Sequence, residues 1–234
     1  MEFDIVEEAK KFLKFYLAGM DCEYEQRHSW RKSSEYIILH SYRVYSIAMK
    51  LVEDEKLKLS EDDILLIKVS AILHDIGKRK SRENHAESSA KVAQEWINKN
   101  SCIKFQIKDV ERLLYIIRNH SNKDEVEKDL CAAIVKDADI LDEIGVLSIF
   151  MSSNVVDRNS PYFFNDLKTR LEEFELNYCD EVLKKLNTEM AKRILEHKKN
   201  FIKAFIENLE MELEGTEDLY KEVKSEEIEF INKI

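Results

Sequence analysis

Apolar residues recur at spacings of three and four along most of the chain, which is the pattern of amphipathic α-helices. In the first such stretch, Phe12, Leu13 and Tyr16 lie on one face. The pattern predicts helices over about 3–18, 35–55, 61–76, 84–98, 108–119, 126–151, 166–184 and 188–213. We expect Gly77 to end the third helix, because glycine is common just after helix C-termini. The sixth helix is expected to continue through Gly145.

The clearest interruption of this pattern, residues 152–165, contains the only proline of the chain. It is too short to indicate a boundary between two independent domains. We therefore expect a single all-α domain over residues 1–234, with a core at about 30–150 and C-terminal helices at about 166–213 packed on it. The pattern assigns no role to the interruption or to the tail after Gly215.

The composition agrees with a helical globule and excludes several other classes. Four glycines and one proline are too few for the many tight turns of a β-sandwich, barrel or propeller. The hydrophobic fraction of 44% excludes a disordered chain, because burial of that surface offsets the entropy lost on folding. A net charge of -10 would repel duplex nucleic acid, but a local group of cations would still bind a small phosphorylated ligand.

The chain also lacks the signals of a membrane or secreted protein. Charged residues begin at Glu2, and no run approaches the roughly 18 apolar residues of a membrane span. The four cysteines are far apart and form no C-x-x-C pair, so we expect reduced thiols. These features predict a cytoplasmic protein with no membrane partner. They do not predict its oligomeric state.

Four of the six histidines lie on faces that are otherwise apolar. His40, for example, continues the face formed by Val44, Ile47 and Leu51 at helical spacing. The other ligand-type side chains in such positions are His74 with its neighbour Asp75, His85, His120 and Asp139. Buried imidazole and carboxylate groups need partners, and several of them in one core would be unsatisfied unless a cation gathered them. The sequence therefore predicts a metal site.

The motifs around these residues resemble the HD-domain superfamily of metal-dependent phosphohydrolases. They are HSYRV at 40–44, AILHDIGK at 71–78, NHAESSA at 84–90, IIRNHS at 116–121 and KDADILDEIG at 136–145. The resemblance covers about residues 35–150 and implies a helical bundle with N- and C-terminal helical flanks. Among small stand-alone members, the pattern is most similar to nucleotide pyrophosphohydrolases.

The resemblance also implies roles for individual residues. It places the primary metal site on His40, His74, Asp75 and Asp139. A set of two histidines with carboxylates suits Mn²⁺, Fe²⁺, Co²⁺, Ni²⁺ or Zn²⁺ better than Mg²⁺. One ion is expected, and His85 and His120 match the positions that hold a second ion in bimetallic members. Where they are not ligands, these two histidines would contact phosphate or transfer protons.

The implied chemistry is attack on a phosphorus atom by a water molecule that the metal acidifies. Asp75 would act through the metal, and His85 or His120 would act as general acid or base. Lys78, Arg43 and Arg79 are the candidates for binding the negative oxygens of the phosphate. Asp142 is in position to orient a ligand histidine by accepting a hydrogen bond from the ring nitrogen that does not bind the metal.

Three functions fit these residues. The first is hydrolysis of a phosphoester or phosphoanhydride bond of a nucleotide, which would release phosphate or pyrophosphate. The second is oxidation of a carbon substrate by an HD-type di-iron oxygenase, and the third is regulation by nucleotide binding without turnover. Lys78 and the cations around it favour phosphate. The complete set of four primary ligands favours an enzyme over a regulator.

Overall fold

The computed structural model describes residues 4–24, 26, 28–53, 58–80, 82–123 and 127–215. These residues form helices and turns, and no β-strand occurs among them, so the prediction of an all-α fold is confirmed. The chain divides into two compact units. The first unit comprises Met1–Glu143 with Lys184–Ile194, and the second comprises Ile144–Leu183 with Leu195–Ile234. Packing of the C-terminal helices on the core stays a prediction.

The first unit is a helical bundle. Its helices are α1 Ile5–Leu17, α2 Ser34–Val52, α3 Glu61–Leu73, α4 His85–Lys99, α5 Ser101–Gln106, α6 Val110–Asn119 and α7 Leu130–Asp142. A short 3₁₀ turn, Ser29–Lys32, precedes α2. The pattern had predicted each of these helices except α5. The predicted start of the sixth helix near Val126 lies outside the described residues.

Helix α3 lies at the centre of this unit and packs against α1, α2, α6 and α7. It is buried on all sides near its C-terminal end, where Val69, Ile72 and Leu73 are fully inaccessible to solvent. A capping box of Ser60 and Asp63 starts the helix, as the sequence predicts. Because α3 ends at Leu73, the dipeptide that follows it is delivered into the middle of the bundle.

Gly77 has a different role from the one predicted. Helix α3 ends four residues before it, and the φ of Gly77 is not in the left-handed region. Instead, its backbone lies against α4, so that a Cβ atom at this position would be 2.4 Å from the backbone nitrogen of Ser89. The Gly77 N–H also donates a hydrogen bond of 2.9 Å to Ser89 Oγ. The glycine therefore permits the close contact between the loop after α3 and helix α4.

The predicted continuous helix over 126–151 is wrong. It is interrupted between Asp142 and Val146, and a new helix α8, Val146–Ser153, begins after Gly145. Gly145 has a φ of 95°, which a helix interior does not allow and which glycine adopts without steric cost. The apolar periodicity continues across this glycine, so periodicity alone could not locate the break.

Helix α7 is tied to the segment that precedes the last helix. The carboxylate of Asp137 accepts hydrogen bonds from the backbone nitrogens of Asn187 and Thr188 and from the Thr188 hydroxyl, at 2.7 to 3.1 Å. Asp137 is fully buried, and these donors satisfy it. The contact holds α7 in place two residues before Asp139.

The second unit contains α8, α9 Phe163–Arg170, a π-helical turn Leu171–Glu175, α10 Leu176–Leu183 and most of α11 Glu189–Glu214. The interruption predicted at 152–165 is shorter in the structure, where the turns between α8 and α9 span residues 154–162. In the part of the chain that is described, no helix is long and apolar enough to cross a membrane. The tail after Gly215 lies outside the described residues.

Candidate metal centre

The ligand-type side chains predicted from the sequence come together inside the first unit. His40 lies on α2, His74 and Asp75 follow α3, His85 begins α4, His120 follows α6 and Asp139 lies on α7. All except His85 and Asp139 are at most 4% exposed. Five helices therefore contribute to one buried cluster.

Four of these residues form one compact set of ligand atoms. The Nε2 atoms of His40 and His74 are 3.2 Å apart. His40 Nε2 is 3.2 Å from both Asp75 Oδ2 and Asp139 Oδ1. His74 Nε2 is 3.6 and 3.7 Å from the same two oxygens. Metal–ligand bonds of about 2.1 Å separate neighbouring ligand atoms by roughly 3 to 3.5 Å, so this spacing suits a single ion.

The other oxygen of Asp75 faces a second set. His85 Nε2 and His120 Nε2 are 3.1 Å apart and lie 3.4 and 3.5 Å from Asp75 Oδ1. Asp75, His85 and His120 therefore form a separate group of three with the spacing of metal ligands. Asp75 is shared by the two groups through its two oxygens.

Each histidine of the cluster directs its Nδ1 hydrogen away from the centre. Three of them donate to the backbone carbonyl three residues earlier: His74 to Ala71 at 2.9 Å, His85 to Arg82 at 2.6 Å and His120 to Ile117 at 2.7 Å. His74 and His120 follow the last residue of a helix, where carbonyls lack a full set of intrahelical donors. His40 donates to Asp142 Oδ2 at 2.7 Å. All four Nε2 atoms therefore point into the cluster.

This arrangement of protons provides a test of whether a cation fits. A neutral imidazole that is protonated on Nδ1 carries a lone pair on Nε2, so the Nε2 atoms of His85 and His120 face one another as acceptors. Asp75 Oδ1 is also buried and accepts no hydrogen bond. Buried acceptors without donors are costly. The donor set therefore fits a divalent cation at the centre of the cluster.

The histidines differ in their tendency to take up a proton. Burial lowers the pKa of His40, but hydrogen bonds to carboxylates, of which Asp139 contributes most, outweigh it and hold that pKa well above its ordinary value. Burial lowers the pKa of His85 and His120 below the ordinary value, so both are neutral near pH 7. A metal ion in the primary group would therefore compete with a proton on His40.

Two lysines pair with the two carboxylates. Lys78 Nζ is 2.6 Å from Asp75 Oδ2. Burial raises the pKa of Asp75, but the charge of Lys78 and the adjacent histidines hold it well below its ordinary value. Lys123 Nζ is 2.7 Å from Asp139 Oδ2. Burial raises the pKa of Asp139, but the charge of Lys123 and the hydrogen bonds from the histidines hold it well below its ordinary value. Sequence reasoning missed Lys123, and its position three residues after His120 was the only available signal.

The predicted phosphate-binding arginines have carboxylate partners. Arg43 donates to both oxygens of Asp142 at 2.8 Å, and Arg79 lies 2.8 Å from Glu23. Asp142 thus holds His40 on one side and Arg43 on the other, which is the orienting position predicted for it. Substrate binding by Arg43 and Arg79 stays a prediction.

Replacing Asp142 with asparagine is expected to weaken metal binding about 10- to 100-fold, because residues that orient a ligand histidine contribute on this scale. The variant would lose the negative charge that holds the Nδ1 hydrogen of His40 and the guanidinium of Arg43. Titration of the purified protein with Mn²⁺ measures the effect. Asp62→Asn is the matched control, because Asp62 pairs with Lys108 in an exposed ion pair. Equal Mn²⁺ affinity in both variants would contradict this role of Asp142.

Comparison with known proteins agrees with the fold and the cluster. The family model described as HD domain matches residues 37–144, which include every residue of both ligand groups. No curated protein matches the chain significantly.

Three solved structures illustrate the similarity of fold. An HD-superfamily hydrolase from Bacillus thuringiensis has 22% identity and a TM-score of 0.59, with 91% of this chain and 98% of that chain covered. A predicted HD superfamily hydrolase from an uncultured Thermotogales bacterium has 20% identity and a TM-score of 0.58, covering 88% of this chain and 92% of its own. Bacillus subtilis YpgQ in complex with ADP has 19% identity and a TM-score of 0.55, with coverage of 88% and 94%. The motifs, the buried cluster and the family match together lead to one conclusion: residues 37–144 match the HD-domain family, and the chain has the fold of the HD-superfamily hydrolases to which it is similar.

Proposed function

We propose that this protein is a metal-dependent phosphohydrolase that cleaves a phosphoester or phosphoanhydride bond of a nucleotide. The observation that carries the proposal is the convergence of four imidazole Nε2 atoms on two carboxylates, each of which is also paired with a lysine. Imidazole and carboxylate donors favour a divalent transition metal, and the ammonium groups favour an anion beside it.

The primary ion would be held by His40, His74, Asp75 and Asp139. When bound, such an ion acidifies a water molecule and polarises a phosphoryl oxygen. Lys78 is the best candidate for neutralising the charge that develops on the phosphoryl oxygens, because it reaches the cluster and its side chain is 31% exposed. Arg43 and Arg79 are weaker candidates, since both already bind carboxylates.

The charge balance of the cluster supports an anionic substrate. Three carboxylates, of Asp75, Asp139 and Asp142, are matched by three cationic side chains, of Lys78, Lys123 and Arg43. A histidine that binds a metal ion through a lone pair is neutral, so the histidine ligands add no charge to this balance. A divalent ion would therefore leave two net positive charges in a buried site, and a phosphate group would neutralise them.

Proton transfer is assigned to His85. Its Nε2 lone pair faces the cluster, its side chain is 15% exposed, and its lowered pKa keeps it neutral and able to accept a proton near pH 7. His120 is almost completely buried and has less access to water. If two ions bind, both histidines would instead hold the second ion together with Asp75.

The nucleotide part of the proposal has a separate support. The motif pattern is most similar to nucleotide pyrophosphohydrolases, and the similar YpgQ structure contains ADP. We therefore expect a nucleoside phosphate as the substrate class.

The test is a hydrolysis screen. The protein would be purified without chelator, its metal content measured, and nucleoside mono-, di- and triphosphates offered with Mn²⁺, Co²⁺, Ni²⁺ or Mg²⁺ while phosphate and pyrophosphate are both quantified. We expect release that depends on a transition metal and stops with chelator. The identity of the product separates a phosphatase from a pyrophosphohydrolase.

Two results would contradict the proposal. Bound iron with oxygen consumption and no phosphate release would identify a di-iron oxygenase. Stoichiometric nucleotide binding without any product would identify a regulator.

A further inference from the structure

We propose that Lys123 binds a second phosphate group of the substrate, next to the one that is attacked, so that the site prefers a chain of at least two phosphates. This inference rests on the proposed function. It concerns a residue that the motifs do not include and that the structure places at the edge of the cluster.

Lys78 pairs with a carboxylate oxygen that faces the primary group of ligands, whereas Lys123 pairs with one that does not. Lys78 pairs with Asp75 Oδ2, the oxygen that also faces His40 and His74. A metal ion in the primary group would need this oxygen, so Lys78 and the ion compete for it. When the ion binds, Lys78 is therefore expected to lose its ion pair with Asp75. Its ammonium group can then pair with a phosphoryl group of the substrate instead.

Lys123 has no such competition. It pairs with Asp139 Oδ2, whereas Asp139 faces His40 and His74 with its other oxygen, Oδ1. Asp139 can therefore serve the ion and keep its ion pair with Lys123 at the same time. The ammonium of Lys123 therefore stays at the outer oxygen of this carboxylate, on the exposed edge of the cluster, and is available to a phosphate next to the attacked one.

The local backbone directs Lys123 to this place. His120 follows the last residue of α6, and the chain then turns, with hydrogen bonds from Asn122 N to Asn119 O at 3.1 Å and from Lys123 N to Ser121 O at 3.0 Å. The lysine side chain returns to the cluster and is 40% exposed. It is thus held at one end by a buried carboxylate and remains accessible to a ligand from solvent. Ammonium groups form strong charge-assisted hydrogen bonds with phosphate oxygens.

A purely structural role for Lys123 makes a different prediction. If Lys123 only held Asp139 in place, its loss would change the affinity for the metal ion and would affect all anions equally. If Lys123 binds a second phosphate, its loss would weaken pyrophosphate more than orthophosphate and would leave Mn²⁺ binding in place.

The experiment measures binding rather than turnover. Isothermal titration of the Mn²⁺-loaded protein with pyrophosphate and with orthophosphate is carried out for the wild type, Lys123→Met, Lys123→Arg and Lys128→Met. Lys128 is an exposed lysine five residues further along the chain and is the matched control. We expect Lys123→Met to raise the pyrophosphate Kd at least about tenfold, the loss of one charge-assisted contact, and the orthophosphate Kd less than about threefold. Lys123→Arg and Lys128→Met should bind pyrophosphate within about threefold of the wild type.

Unchanged pyrophosphate binding by Lys123→Met would overturn the inference, and so would an equal loss of both anions together with Mn²⁺ affinity. A wild-type protein that binds no pyrophosphate would overturn it as well. The outcomes also distinguish a failure of this inference from a failure of the proposed function. If pyrophosphate binding depends on Lys123 but no nucleotide is hydrolysed, the binding role stands and the hydrolase does not. If nucleotides are hydrolysed and Lys123→Met binds pyrophosphate normally, only the role of Lys123 is lost.

Discussion

Replacing Asp75 with asparagine is expected to abolish both metal binding and turnover, with a loss of activity of at least about 1,000-fold. The reason is that Asp75 serves both ligand groups, with Oδ2 facing His40 and His74 and Oδ1 facing His85 and His120. An amide carries no negative charge and cannot replace both oxygens. Metal content and phosphate release, measured on the same preparation, test the prediction.

Asp137→Asn is the matched control for this experiment. Asp137 is a buried aspartate on α7, but its partners are Asn187 and Thr188 rather than the histidines. This variant should retain its metal ion even if its stability falls. The fluorescence of Trp30 and Trp96, the only tryptophans of the chain and both in the first unit, reports whether each variant is folded. A folded Asp75→Asn protein that retains activity would rule out the proposed mechanism.

Replacing Gly77 with alanine is expected to lower the free energy of unfolding of the first unit by about 3 kcal/mol. The added Cβ would lie 2.4 Å from Ser89 N and 2.7 Å from Ser88 C, and backbone atoms of a helix cannot move aside without shifting α4. Because His85 is the first residue of α4, this shift would also displace one ligand-type side chain. Urea unfolding followed by tryptophan fluorescence measures the change.

Gly19→Ala separates this steric effect from the general cost of replacing a glycine. Gly19 has a φ of 66° and no atom within 4 Å of an added Cβ, so its substitution should cost about 1 to 2 kcal/mol through backbone strain alone. Metal binding should be unchanged in Gly19→Ala and weakened in Gly77→Ala. Equal unfolding free energies and equal metal affinities in the two variants would show that the contact with Ser89 does not matter.

Much of the site was predictable because the signal is local. Polar residues such as His40, His120 and Asp139 interrupt helical faces that are otherwise apolar, and the spacing of three and four residues makes this visible over a single helix turn. The motif around His74 and Asp75 added the resemblance to the HD-domain superfamily and the residue roles that this resemblance implies. The helices were predicted for the same reason, since their periodicity repeats within a few residues.

The sequence predictions that were wrong or incomplete also have a physical explanation. Periodicity continued across Gly145, and only the backbone geometry, with a positive φ, shows that the helix stops there. The contact that requires Gly77 joins it to Ser89 of α4, 12 residues further on, so nothing in its own neighbourhood indicated it. Lys123 resembled any lysine of a polar loop.

The sequence by itself therefore determined the fold class, the helical faces and the residue types that meet in the cluster, because each of these depends on neighbours within a helix turn or two. Only the tertiary structure decided the pairings. It places Arg43 on Asp142, 99 residues away, Lys123 on Asp139, and the two oxygens of Asp75 towards different pairs of histidines. Such contacts depend on how separate helices pack against one another, and a pattern along one helix does not contain that information.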